Sequence, residues 1–335
     1  MRRLSILLAL LLVSCADDPE TATTLAVKDY VDAELDALYQ GALDLQAAAP
    51  TPDADGWNAT DDAAALAAMR AAWLRTRVAY EHVEGAIAIL FPHIDVAIDQ
   101  RYDGFVEATP DMDPFDRTGV TGMHAVERIL WAGEHPPEVV AFESSILGYE
   151  EARFPATEAE ARAFRDELLQ RLIDDIGTMR DQFAPLALDP AAAFRGVIGS
   201  MIEQHEKVRL AATGEDESRY SQLTLADMRA NLAGGRSIYG LFRDWVRGAE
   251  GGEALDARVV AGLDRVDAAY AAIDGDSLPP VPDGWNPDDP SAEDLATPYG
   301  QLFTLVSEEA DPAIAGSLVA EMNAAARAIG IPLVP

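Results

Sequence analysis

The string Thr121-Gly122-Met123-His124-Ala125-Val126-Glu127 reads G-x-H-x-x-E inside a helical pattern. Residues three apart on an α-helix share a face, so the His124 imidazole and the Glu127 carboxylate are spaced to close on one metal ion. Apolar Val120, Met123, Leu130 and Trp131 flank the pair and turn it toward the interior. A carboxylate buried there must be paired or coordinate something. With five His and 58 Asp and Glu, the spacing also arises by chance. The competing reading is a core histidine hydrogen-bonded to a nearby glutamate. One chance match is visible at His135-Pro136-Pro137-Glu138, where two prolines prevent a helix.

The elements that must position these residues read as helices. Residues 25–48 carry Ala26, Tyr30, Leu35 and Leu38 on one face. After Gly56-Trp57, Asp61 or Asp62 caps a helix that aligns Leu66, Met69, Trp73, Tyr80 and Ile87. Glu84 falls on this stripe, as either a helix-edge residue or a buried functional one. A less regular stretch from Phe91 to Asp116 carries Asp95, Asp99, Asp103 and Glu107. The His124 helix follows and stops near Gly133–Pro137. Residues 157–184 form a long amphipathic helix, and Pro185 and Pro190 bracket a linker.

In the second half, Phe194, Ile198, Met201, His205 and Val208 make one face, and Thr213–Ser218 is an acidic turn. Leu225 to Val246 is helical, with Gly234-Gly235 allowing a kink or a close backbone approach. A helix over 253–274, a Pro/Asp-rich loop over 276–290 and a final helix or pair over 292–329 complete the chain. Roughly eight helices, four per half, predict an all-α fold of two packed antiparallel four-helix bundles. The expected boundaries are 25–187 for the first, carrying the H-x-x-E site, and 188–335 for the second.

The N-terminus reads as targeting. Arg2 and Arg3 precede an apolar run from Leu4 to Val13, about ten residues and too short to span a bilayer. Leu12-Val13-Ser14-Cys15 resembles a bacterial lipobox, which makes Cys15 a lipid anchor; the alternative is a signal peptide with an incidental cysteine. Residues 1–15 are then a signal peptide and 16–24 a polar tether. The expected location is the periplasm or cell surface, anchored to a membrane by lipid. Cys15 is the one cysteine, which excludes disulfides and thiolate metal sites. The net charge of −33, with Lys28 and Lys207 the two lysines, excludes nucleic acid as a partner. Such a surface attracts cations, although a solvated acidic surface explains most of the excess.

Three blocks resemble the imelysin-like family, which includes EfeO-type periplasmic iron-uptake proteins and shorter lipoproteins. Tyr80-Glu81-His82-Val83-Glu84 with Asp95-Val96-Ala97-Ile98-Asp99 is similar to the family's Y-E-x-I-E … D-x-A-I-D. Thr121 to Trp131 is similar to T-G-F-H-x-I-E-x-x-L-W. Gly214 to Asn231 is similar to G-E-E-D-R-Y-S-H-x-D-L-x-D-x-x-A-N. The resemblance implies two four-helix bundles and a metal site built from the H-x-x-E helix and the preceding acidic block. By position His124 and Glu127 match the motif, Glu84 the last Glu of Y-E-x-I-E, and Asp99 the Asp of A-I-D. One extra residue lies between those two, near Ile89–His93. A further ligand from the second half falls at Glu206, with Glu203 the alternative register and His205 on the same helix. The family's Y-S-H is Tyr220-Ser221-Gln222 here, so any role of that His is lost. The cupredoxin-like domain of longer relatives has no counterpart, and a copper redox step is not expected.

One imidazole with carboxylates is a hard ligand set that suits iron, with zinc or calcium as alternatives, better than copper(I). The implied function is a lipid-anchored metal-binding protein that captures iron and hands it to a permease or a peroxidase-like partner. A metallopeptidase is the second reading, although zincins use H-E-x-x-H and no second His lies on this helix. Metal-bridged binding of an acidic polysaccharide is the third.

Overall fold

The computed structural model describes residues 18–106 and 111–333, and among these every regular element is helical. Cys15, the signal segment and Glu107 lie outside the described residues. None of the described helices is long and apolar enough to cross a membrane.

Helix α1 (Pro19–Ala47) is started by Asp18, whose side chain accepts from the Thr21 N–H at 3.1 Å, with Pro19 in the first turn. It buries Val27, Val31, Leu35, Leu38 and Leu45, so its inner face passes beside Tyr30 rather than through it. Helix α2 (Ala63–Glu81) buries Leu66, Met69, Trp73, Arg77 and Tyr80. The stripe expected to run on to Ile87 breaks at His82-Val83, and α3 (Glu84–Leu90) restarts it in a new direction. The irregular stretch contains two short helices, α4 (Pro92–Asp99) and α5 (Tyr102–Val106). Helix α6 (Gly122–Leu130), which carries the motif, is buried along its whole length. Next come α7 (Pro137–Glu143) and α8 (Glu158–Ala163), then one π-turn and α9 (Leu169–Phe183).

The second half begins with α10 (Pro190–Leu210) and continues with α11 (Thr224–Gly248) and α12 (Gly252–Ala271). The last segment, expected as one or two helices, forms α13 (Ala292–Leu295), α14 (Pro298–Ala310) and α15 (Leu318–Ala328). Helix α1 packs along α2 and α9, and α12 packs on α11 and α15. The halves also meet closely: α3 lies on α10, and α11 lies on both α1 and α2. Buried apolar side chains from both halves form one continuous core.

Three contacts fix the motif helix. Trp73 Nε1 donates to the Met123 carbonyl at 2.9 Å, and Arg70 donates to the Leu130 carbonyl at 2.7 and 3.0 Å. These pin both ends of α6 to α2. Gly122 has φ of +85°, and a side chain there would collide with the Ile98 carbonyl. The motif glycine therefore lets the end of α4, with Asp99, approach the start of α6, with His124.

Candidate metal centre

Arg77 lies fully buried at the centre of a carboxylate cluster. Its guanidinium reaches Glu81 at 2.5 Å, Glu217 at 2.8 Å, Asp227 at 3.5 Å, and Asp99. One turn separates Arg77 from Glu81 on α2, and α3 opens with Glu84 immediately after the helix break. Helix α4 supplies Asp99 at its end and Asp95 one turn earlier, where the Tyr80 hydroxyl donates to Asp95 at 2.6 Å. Glu217 arrives on the segment between α10 and α11, and Lys207 on the last turns of α10.

His124 enters this cluster ring first. Its Nε2 lies 3.4 Å from Asp99 Oδ1 and 3.6 Å from Glu217 Oε1, yet makes no hydrogen bond. Asp99, His124 and Glu217 each present one ligand atom close enough to share an ion. A buried ring nitrogen without a partner, aimed at two carboxylates, is the arrangement a cation would complete.

Glu127 does not share that direction. Its Oε2 lies 2.8 Å from His124 Nδ1. Its Oε1 accepts from the Tyr220 N–H at 3.1 Å, the Ser221 N–H at 2.8 Å and the Ser221 hydroxyl at 2.7 Å. The pair spaced to close on an ion thus closes on itself, and Glu127 fixes the imidazole's orientation. Glu84 sits one step from His124's cluster, receiving Lys207 Nζ at 3.2 Å and the Asn231 amide at 2.6 Å. Asp99 is where the motif alignment expects it. Glu206 is exposed on the cavity wall, as is Glu203. His205 turns away to the Phe303 ring. Gln222, which replaces the family His, donates to the Arg219 carbonyl at 2.8 Å and lines a separate small cavity with Glu138 and Thr224.

Sequence reasoning missed Glu217, Glu81, Lys207 and Arg77. Glu217 lies in the acidic turn, to which no ligand was assigned, although it belongs to the Gly214–Asn231 block that carries the resemblance. Glu81 lies in the Y-E-x-I-E block, but only its last Glu was assigned.

A cleft of about 410 Å³ opens over the cluster, lined by Glu84, Asp95, Asp99, Glu203, Glu206 and Lys207 among others. Acidic groups outnumber the two basic side chains in it, Arg101 and Lys207. The surplus charge moves protons. Burial drives Glu81 well above its ordinary range despite Arg77, and burial with Asp99 nearby raises Asp95 to about 7. Burial also lifts Asp227 to about 6 against the pull of Arg77. Burial alone would depress His124, but Asp99, Glu127 and Glu217 outweigh it and hold the imidazole well above its usual value. Glu217 goes the other way: Lys207, His124 and Arg77 overcome burial and keep it ionised. In the metal-free cluster, protons stand where positive charge is wanted, and a cation would displace them.

A family model for imelysin matches residues 28–328. The chain belongs to the imelysin family. Among curated relatives it is 25% identical over 247 residues to the iron uptake system component EfeM of Pseudomonas syringae pv. syringae (strain B728a). That match covers 71% of this chain and 73% of the relative. Among solved structures it is similar to an imelysin-like protein from Psychrobacter arcticum 273-4, with a TM-score of 0.57 and 13% identity, covering 94% of this chain and 97% of the other. The structural likeness supports the all-α imelysin-like fold.

Proposed function

We propose that this imelysin-family chain is a lipid-anchored extracytoplasmic protein that captures iron as cargo for an uptake system. Asp99, His124 and Glu217 would bind the ion, and Glu127 would hold the imidazole toward it. The observation that carries this reading is the unpartnered His124 Nε2 facing Asp99 and Glu217 beneath an acidic, solvent-open cleft. A similar relative bears the name of an iron uptake component. Nitrogen and carboxylate donors suit iron, with zinc or calcium as alternatives. Glu206 on the cavity wall would draw cations inward, and Glu84 would act through Lys207 rather than on the ion. Delivery would be to a permease or a peroxidase-like partner at the membrane to which Cys15 tethers the chain.

A peptidase needs a free base near its metal-bound water. Glu127, the carboxylate on the His124 helix, has both oxygens engaged. That removes Glu127 as a peptidase base.

Metal analysis of the tag-free mature protein after exposure to mixed iron, zinc and calcium tests the reading. Iron retained by the wild type and lost in His124→Ala, with helical circular dichroism intact, is the expected result. Equal retention in both proteins overturns it.

A further inference from the structure

Glu81, Glu84 and Glu217 form a second grouping whose oxygens converge as a metal's ligands would, and Glu217 is common to both groupings. A side-chain cation reaches both: Arg77 lies on Asp99 and 2.8 Å from Glu217 Oε1 in the first, and Lys207 lies in the second. In the second, Lys207 Nζ lies 3.1 Å from Glu81 Oε2, 3.2 Å from Glu84 Oε2 and 3.6 Å from Glu217 Oε2. The ammonium donates to Glu81 and Glu84, and Glu217 adds a third negative charge beside it without a hydrogen bond. The carboxylates are themselves held in place. Arg77 anchors Glu81, and Asn231, fixed in turn by Gln204 at 2.9 Å, anchors Glu84. What sets the first grouping apart is His124 Nε2, a buried ring nitrogen that has no hydrogen bond.

Lys207 is also out of the ordinary for this chain. The other lysine, Lys28, is half-buried over the Phe183 ring and meets one carboxylate, Asp32, whereas the Lys207 side chain is 5% exposed among three. Lysine is rarely buried without a specific partner set.

We propose that Lys207 is the resident cation of the Glu81–Glu84–Glu217 group and restricts the cluster to a single metal ion. This rests on the reading of Asp99, His124 and Glu217 as that ion's ligands. Carboxylate-rich helical proteins commonly hold two ions bridged by a shared glutamate. Here the side chain of α10 takes the second place. Because Glu217 serves both cations, Lys207 also competes with the ion for it. That competition keeps capture reversible, as a carrier requires.

Manganese(II) is a suitable probe, since it favours oxygen ligands and its paramagnetic spectrum distinguishes an isolated ion from a coupled pair. Wild type should bind one ion with an isolated-ion spectrum, and Lys207→Arg should do the same. Lys207→Met should bind two, magnetically coupled through Glu217. One ion in Lys207→Met, or two in the wild type, overturns the proposal while leaving the first site standing. No ion in the wild type overturns the site and the proposal together. If Lys207→Met fails to fold, Glu84→Gln decides. It should keep the single ion with affinity changed less than about threefold, while Glu217→Gln loses it. Equal loss in both would place Glu84 on the ion and overturn the role of Lys207.

Discussion

In the proposed site Glu217 faces the ion, and Glu127, which the spacing made a ligand, supports the imidazole instead. An i, i+3 relation places His124 and Glu127 on one face but leaves open where each side chain turns. The donors of Tyr220 and Ser221 turn Glu127 away from the cluster, and they lie more than ninety residues along the chain. Replacing Glu127 by Gln should therefore weaken iron binding by roughly ten- to a hundredfold, the usual effect of a ligand's supporting partner. Glu217→Gln should reduce affinity further, and calorimetry of the two variants side by side checks the order. Arg77 makes a separate prediction. Removing one partner of a buried ion pair strands the others, at about 3–5 kcal/mol. Arg77→Leu should lose stability of that order in urea denaturation, and part of it should return when the ion binds. The sequence pointed to His124 and Asp99, which lie 3.4 Å apart, because each sits in a compact motif. It did not point to Glu217, because an acidic turn on the surface and an acidic turn folded inward have the same composition.

At the level of elements, most helices could be read from their apolar periodicity, while their interruptions could not. The α2 stripe continues through Ile87 in the sequence, yet the helix breaks at His82-Val83. There Gly234 of α11 packs its bare Cα against the His82 carbonyl, where a Cβ would overlap it. The Gly234-Gly235 pair signalled a close approach, but which segment it approaches is a tertiary fact. That approach brings Asn231 to Glu84 and Asp227 to Arg77. Gly122 plays the matching part for α4 and α6. Gly122→Ala combines a disfavoured positive φ with a collision against the Ile98 carbonyl. It should destabilise the protein by about 1–3 kcal/mol, as overpacking does. It should also weaken metal binding, because the α4 end moves Asp99 away from His124. Thermal unfolding and metal titration of the same variant measure both effects. A loss of stability with unchanged affinity would mean that α4 can move without carrying Asp99.

On the scale of the whole molecule, the proposed site draws on both halves. His124 and Asp99 come from the first, Glu217 and Lys207 from the second, and one core continues between them. The sequence placed the ion in the first bundle, where the strongest motifs lie, with one ligand expected from the second half at Glu206 rather than Glu217. The seam could not be read, since it depends on how α3 meets α10 and how α11 meets α2. A cluster closed by folding makes stability depend on pH. Asp95 at about 7, Asp227 at about 6 and Glu81 well above its ordinary range all bind protons more tightly folded than unfolded. So does His124. Groups raised in this way stabilise the fold fully below their unfolded pKa, and that stabilisation fades as pH rises through the folded value. Glu217, lowered instead, acts in the acid range, where its stabilisation is lost as pH falls. Between pH 5 and 8 the raised groups govern, at about 4 for an unfolded carboxyl and 6.5 for an unfolded imidazole. The metal-free protein should therefore have a lower Tm at pH 8 than at pH 5. An ion replaces those protons, so its stabilising effect should grow over the same range. Tm measured with and without iron at both pH values checks the sign. A metal-free protein that gains stability toward pH 8 would show that Arg77 and Lys207 already neutralise the cluster, leaving no surplus charge to attract a cation.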